Sequence, residues 1–326
     1  MSTSSPPLST LGVLCALAAS FAFTLNDVGI KFLSGDYPLH QIVLVRAFIA
    51  IFITLMIIIP FEGGYHLLRT RQLKLHLLRG AFVVSANMLF FLGLAEIPLS
   101  EATAIFFVSP LIITLFSVIF LSEKVGPWRW FAVIMGLVGA VVMLRPSLNS
   151  FQLAGLFPIG AAFCYASLHI LTRKMGRDEK ASTMSFYLQF TFIIVSITMG
   201  LAFGDGKYAD QDSSALEFLL RPWVWPNQFD LIIMACIGIA SAVGGYTISQ
   251  AYRLSEAAII APIEYVALVL AVFWGIAIFN EWPDGVAWTG IALILSSGLL
   301  MLWREAIAKK NTNKNTNKNG PLRTHR

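Results

Sequence analysis

Apolar residues dominate this chain in long unbroken runs, with none of the two-residue or heptad alternation that marks a half-buried strand or helix. About 20 apolar residues are needed for a helix to cross ~30 Å of hydrocarbon. Ten stretches reach that length or come close: 11–32, 39–60, 76–96, 100–121, 127–145, 153–172, 183–203, 229–251, 256–279 and 286–303. A spanning segment must satisfy its own backbone N–H and C=O groups, so a continuous apolar run predicts a helix and not a strand. Breakers mark the boundaries, with Pro38, Pro60, Pro98, Pro127 and Pro146 between spans and Pro283 just past the ninth. The pattern predicts an all-α integral membrane protein of ten transmembrane helices. The connectors are short except 204–228, and residues 1–10 and 304–326 form polar tails, the second basic and low in complexity.

Composition agrees. Hydrophobic residues make up 57% of the 326-residue chain and charged residues 13%, about half the charged share of a soluble domain. The net charge of +5 raises the question of nucleic acid, but its distribution points to membrane orientation instead. With the N-terminus inside, the cytoplasmic connectors hold Arg69, Arg71, Lys74, Arg79, Lys124, Arg129, Arg173, Lys174, Arg177, Lys180 and Arg253, and the C-terminal tail adds more. The opposite side holds only Lys31, Arg145, Lys207 and Arg221. Both termini are therefore expected in the cytoplasm of a multi-pass inner-membrane protein. The N-terminus lacks a basic n-region, so residues 11–32 are read as the first span and not as a cleaved leader. Cys15, Cys164 and Cys236 all fall in apolar runs, and neither a disulfide framework nor a metal site is expected.

The two halves resemble each other. At an offset of 143, residues 11–31 align with 154–174, pairing Gly12 with Gly155, Leu25 with Leu168, Asn26 with His169 and Lys31 with Lys174; the same offset sets Arg46 opposite Gln189. LSEA at 99–102 recurs at 254–257, and an offset of 158 pairs Glu123 with Glu281 and Trp130 with Trp288. Five spans is an odd number, so the second copy is expected upside down relative to the first, with repeats over 11–147 and 151–303. Inverted repeats around a midplane site are a common plan of secondary transporters.

These features resemble the drug/metabolite transporter superfamily, EamA type: ten spans, two five-helix repeats, cytoplasmic termini, the Lys31/Lys174 pair, Arg46 in the second span, and Glu123 and Glu281 ending the fourth span of each half. Within that family, LNDVGIKFLSG and EYVALVLAVFWGIAIFNEWPD look most like bacterial uptake carriers for riboflavin or S-adenosylmethionine. The resemblance implies a monomer or homodimer that moves a small organic solute by alternating access, with no cofactor and no nucleic-acid partner. Riboflavin is the first expectation, with S-adenosylmethionine uptake and amino-acid or metabolite export as alternatives.

Polar residues inside the spans are the candidate chemistry, since each ionisable group costs about 2.5–3.5 kcal/mol on insertion scales and needs a cavity or a partner. Asn26 and Asp27 lie deep in the first span, and Asp27 is spaced for an ion pair with Lys31. Arg46 is too deep to snorkel easily and calls for an anion, a carboxylate partner or a carbonyl cluster, with Asp27 and Glu264 as the candidate protein carboxylates and a substrate carboxylate or phosphate as the alternative. Glu264 and Tyr265 follow Pro262, whose ring frees backbone carbonyls where a helix lines a cavity; Pro110 has a similar place in the fourth span. Proton coupling through Glu264 is an expectation of this reading. Asn87, His169 and Tyr246 complete the candidate site, with Gln189, Gln250, Tyr165 and Tyr187 as further hydrogen-bonding groups. Phe90, Phe91, Phe106, Phe107 and Trp274 are candidates to stack on a planar ligand. Most Phe residues in so apolar a chain face lipid or fill packing, so this last group is the least specific. Walker A, HExxH and GxSxG sequences are missing, which argues against an ATPase and against a membrane-embedded lipid enzyme, the main competing class.

Overall fold

The computed structural model describes residues 10–96, 99–123, 125–144, 155–176, 178–209, 214–280 and 288–300, together with 282, 284–286 and 303. Every regular element among the described residues is helical. In chain order these are α1 (Thr10–Leu33), α2 (Leu39–Glu62), α3 (Leu73–Glu96), α4 (Leu99–Phe106), α5 (Ser109–Leu121), α6 (Pro127–Leu144), α7 (Leu156–Met175), α8 (Ala181–Phe203), α9 (Ser214–Leu220), α10 (Gln228–Leu254), α11 (Ala257–Phe279) and α12 (Trp288–Leu300). Among them α1, α2, α3, α8, α10 and α11 are long and apolar enough to cross a bilayer, while α5 and α12 are shorter apolar helices. Pro98, Pro146, Pro283, Glu281 and both tails, of which only Thr10 is described, lie outside the described residues.

Three spans change pitch at a proline, and the reason is local. Pro60 has no N–H for the carbonyl four residues back, and the preceding turn of α2 widens into a π-helix over Thr54–Ile58. Pro110 ends the continuity expected over 100–121: the chain turns at Phe107 and Val108 between α4 and α5. Pro262 tightens α11 into a 3-10 segment at Ala261–Tyr265. The fourth and ninth expected spans are thus both interrupted. They also end alike, because Ser122 and Asn280 carry positive φ (55° and 57°) as left-handed C-caps of α5 and α11. These two residues are 158 apart, the offset that pairs Glu123 with Glu281 and Trp130 with Trp288 in the sequence.

Packing crosses between the halves. The two most extensive helix contacts are α1 on α10 and α3 on α7, so the first helix of each half lies against the third long helix of the other. α2 and α8, the second helices of the halves, also meet. Small residues allow the close approach. A Cβ on Gly29 of α1 would sit 2.3 Å from Cγ2 of Ile237 on α10, and one on Gly238 would sit 2.7 Å from Cβ of Ile49 on α2. Outward faces carry large apolar side chains such as Phe52, Phe61, Phe120, Leu201 and Leu299, a surface suited to lipid. Exposed Trp128, Trp225, Trp282 and Trp303 sit at or beyond helix ends, where amphipathic rings favour the membrane interface.

Polar contacts between connectors fall into two groups at opposite ends of the bundle. At one end Tyr37 Oη donates to Asp230 Oδ2 (2.7 Å), Gln41 Nε2 to the Val224 carbonyl (2.6 Å) and Arg221 Nη1 to the Ser34 carbonyl (3.0 Å). Burial, followed by the hydrogen bond to Asp230, raises the Tyr37 phenol above its ordinary value. At the other end Thr183 and Tyr187 donate to the carbonyls of Leu67 and Leu68. There Arg173 meets Glu123 (3.3 Å) and the Arg253 carbonyl (3.0 Å), and the Ala257 N–H donates to Glu123 (3.2 Å).

The α1–α10 seam yields a stability test. Gly29→Ala places a methyl group against Ile237, and overpacking of that kind costs roughly 1–3 kcal/mol. Thermal unfolding in detergent is expected to show that loss, and Ile237→Ala in the same chain is expected to recover part of it. Simple additivity of the two losses would contradict the close approach.

Candidate functional site

A cavity of about 180 Å³ lies at the centre of the bundle, bounded by α1, α2, α3, α4, α7, α8, α10 and α11. That is over ten times the ~10–15 Å³ of probe-occupied space one water needs. Six of the eight expected site residues line it: Asn26, Asp27, Arg46, Asn87, His169 and Glu264. Positions that the sequence offset of 143 pairs are found together on its wall, Asn26 with His169 and Arg46 with Gln189.

Arg46 is 3% exposed and reaches neither Asp27 nor Glu264 by a direct hydrogen bond. Its Nη1 donates to Asn26 Oδ1 (2.9 Å) and its Nη2 to Asn87 Oδ1 (3.2 Å). Asn26 Nδ2 in turn donates to Asp27 Oδ1 (3.1 Å), so the carboxylate acts on the guanidinium through an amide. The guanidinium lies 5.0 Å from the ring centroid of Phe192, a cation–π distance. Of the expected partners, the structure supplies a cluster of side-chain carbonyls and not Asp27 or Glu264 directly. Two asparagines on α1 and α3 occupy the positions a carboxylate would take, and they hold the charge without cancelling it. Lys31, expected against Asp27, sits with Nζ 4.3 Å above the ring of Phe279.

Glu264 also lines the cavity. Its Oε2 accepts from Tyr165 Oη (2.8 Å) and its Oε1 from Tyr252 Oη. The imidazole of His169 is held between the same tyrosines, 4.2 Å from Tyr165 edge to face and 4.1 Å from Tyr252 in a stack. Neither of its ring nitrogens has a hydrogen-bond partner among the described residues. Aromatic side chains Phe23, Phe90, Phe91, Phe106 and Phe107 cover another part of the wall.

Two expected residues do not line the cavity. Tyr246 points to the cluster at the helix ends, where its hydroxyl donates to Glu62 (3.1 Å) beside Gln250. Tyr265 lies behind the wall, stacked on Phe107 with centroids 5.4 Å apart, and its hydroxyl reaches the Phe107 and Val133 carbonyls (3.3 and 3.4 Å). The break before Pro110 deprives the Phe107 carbonyl of its helical partner, and Tyr265 supplies one. Trp274, expected to stack on a ligand, instead contacts Phe21 and Phe273 away from the cavity.

Arg79 is a cavity residue that sequence reasoning missed. Counted with the cytoplasmic cations, it is 2% exposed and lines the cavity. It donates to Thr172 Oγ1 (2.7 Å), the Met184 carbonyl (2.7 Å) and Ser249 Oγ (2.9 Å), joining α3 to α7, α8 and α10. All three acceptors are neutral, so its positive charge persists beside the site. Its depth, one turn inside the third apolar run, was the available signal.

This arrangement can bind a small, largely planar molecule between aromatic rings and a polar face. The EamA-like transporter family model matches residues 10–145 and again residues 152–303. The chain belongs to the EamA-like transporter family. It is therefore a multi-pass membrane transporter with a small molecule as its cargo. Among curated relatives, a riboflavin transporter of Vibrio cholerae is 31% identical over 93% of this chain and 96% of its own length. An S-adenosylmethionine uptake transporter of Rickettsia prowazekii is 26% identical over 90% of this chain and 93% of its own. One solved crystal structure superposes with a TM-score of 0.73 at 18% identity, covering 91% of this chain and 98% of that one, which bears on the fold alone.

Adjacent glycines of α10 separate fold from site. A Cβ on Gly245 would meet only Ser185 Oγ at 3.4 Å and Gln189 Nε2 at 3.6 Å, ordinary contacts beside the cavity, whereas one on Gly244 would lie 2.7 Å from the Phe23 ring. Gly245→Ala is expected to fold normally and to raise the transport KM roughly tenfold, within the range one methyl group in a pocket can decide. Gly244→Ala is expected to lower thermal stability first. Unchanged transport kinetics in Gly245→Ala would remove this face from the site.

Proposed function

We propose that the chain takes up riboflavin, or a flavin of the same ring system, across the inner membrane by alternating access between two inverted five-helix halves. One observation carries the substrate reading: the cavity sets a wall of Phe rings beside an uncharged hydrogen-bonding face of Asn26, Asn87 and Gln189 around the arginine. An isoalloxazine has that division, with an apolar benzenoid end and a polar pyrimidinedione end. The Vibrio cholerae relative and a Rhizobium johnstonii relative, 28% identical over 92% of this chain, are both named riboflavin transporters.

The halves are supported by the repeat offsets, the double match to the family model, the exchanged packing of α1 on α10 and α3 on α7, and the matched left-handed caps. Both termini lie in the cytoplasm in this reading. The connector contacts favour it, because they join only segments that the charge bias assigns to one side.

S-adenosylmethionine uptake is the second reading, favoured by the Rickettsia relatives and by the carboxylates Asp27 and Glu264 on the wall. A sulfonium cation needs a carboxylate or aromatic face free of competing positive charge. Here Arg46 and Arg79 both border the cavity, and Glu264 is held by two phenols. The flavin reading therefore ranks first.

Expression in a riboflavin-auxotrophic strain is expected to restore growth on trace riboflavin. Rescue failing for riboflavin while labelled S-adenosylmethionine accumulates would transfer the assignment to the second reading. Glu264 faces Tyr165 and His169 of α7 and Tyr252 of α10, a cluster able to hold and pass a proton. Glu264→Gln is expected to abolish uptake driven by an imposed pH gradient while counterflow exchange persists. Gradient-driven uptake at the wild-type rate would exclude proton coupling through this residue.

A further inference from the structure

Besides the two ring nitrogens of His169, two buried polar atoms of cavity-lining residues have no partner among the described residues, and they belong to positions that the sequence offset of 143 pairs, Arg46 and Gln189. Arg46 commits Nη1 and Nη2 to Asn26 and Asn87, which leaves Nε–H as an unused donor. Gln189, fully buried, donates through Nε2 to Ser241 Oγ (3.1 Å) and to the Ser241 carbonyl (3.4 Å), which leaves Oε1 as an unused acceptor. The amide orientation follows from chemistry: the Ser241 carbonyl can only accept, so the nitrogen must face it. Both side chains line the cavity. The Arg46 guanidinium lies over Phe192, and Phe192 is one helical turn from Gln189 on the same face of α8.

A buried donor and a buried acceptor left unpaired both carry a desolvation penalty, and they persist where a ligand completes them. Nη1 and Nη2 each spend one of their two N–H groups on an asparagine, so an anion seated on this guanidinium would compete with Asn26 and Asn87. The nitrogen with no partner at all, Nε, presents one N–H, and Gln189 presents one C=O.

We propose that Arg46 Nε and Gln189 Oε1 form the recognition pair of this carrier and take the cis-amide edge of a planar heterocycle, a ring carbonyl beside a ring N–H. Arg46 Nε–H donates to the carbonyl, and the ring N–H donates to Gln189 Oε1. This rests on the flavin reading and deepens it: the imide edge of the pyrimidinedione supplies both groups, while the benzenoid end lies toward Phe90 and Phe106. Arg46 therefore acts as a neutral-ligand donor whose charge is managed by Asn26, Asn87 and, through Asn26, Asp27. A substrate lacking a ring N–H next to a ring carbonyl satisfies one atom of the pair and strands the other.

The test compares riboflavin with riboflavin methylated at the imide nitrogen, by equilibrium binding to the purified full-length carrier in detergent. The wild type is expected to bind riboflavin at least about tenfold more tightly than the methylated analogue. In Gln189→Leu that ratio is expected to collapse toward one, because no acceptor remains for the methyl group to displace. Equal binding of both ligands by the wild type would overturn the recognition pair and leave the flavin assignment standing. Binding of neither would overturn the flavin assignment and the pair with it. A folded Gln189→Leu protein that kept the wild-type ratio would show that another group reads the imide. Should that variant fail to fold, the wild-type comparison alone decides.

Discussion

A guanidinium held in the middle of a membrane bundle is the constraint around which this site is arranged. Arg46 cannot reach either interface from its place in α2, and hydrocarbon offers it nothing. The protein meets it with amide oxygens from α1 and α3 and with the face of Phe192 from α8. Four helices are thereby obliged to converge on one point. Neutral acceptors solvate the cation without extinguishing its field, and the nearest carboxylate, Asp27, is kept one amide away. Had Asp27 taken the arginine directly, a closed ion pair would offer little to a ligand. The amide bridge leaves a donor unspent.

The same economy of unsatisfied groups runs through the backbone. Helices that span a membrane hide their peptide groups completely, so each proline that interrupts one leaves a carbonyl needing a partner. At the turn before Pro110 the freed carbonyl is that of Phe107, and its partner comes from far along the chain, in the hydroxyl of Tyr265. The segment that delivers Tyr265 is itself bent by Pro262, and the bend sets Glu264 on the cavity side. Two breaks, one in each half, are thus tied by one phenol.

What could be read from the chain follows from what each signal reports. The helices, and a spanning apolar length for six of them, depend on local composition, and they were legible. Asn26, Asp27, Arg46 and Glu264 stood out because a polar group deep in an apolar run has few ways to be satisfied, and all four line the cavity. Arg79 did not stand out, since a cation near the start of a span looks the same whether it snorkels outward or turns in toward Thr172, Met184 and Ser249. Tyr246 and Tyr265 were misplaced for the complementary reason. A tyrosine in a helix can face any neighbour, and what decided each was a distant group, Glu62 in one case and the freed carbonyl of Phe107 in the other. The interruption at Phe107 was signalled by Pro110, but continuous hydropathy across it concealed the turn.

The crossed packing of the halves bears on how the chain comes to be assembled. Helix α1 finds its principal neighbour in α10, and α3 finds its own in α7, so neither completes its contacts while only the first half has left the ribosome. Until residue 254 is made, the Asn26–Asp27 face of α1 must wait in the translocon or the bilayer without its final surroundings. Neither half is then a self-sufficient folding unit, and the late helices act as the clasp that draws the early ones into their native register.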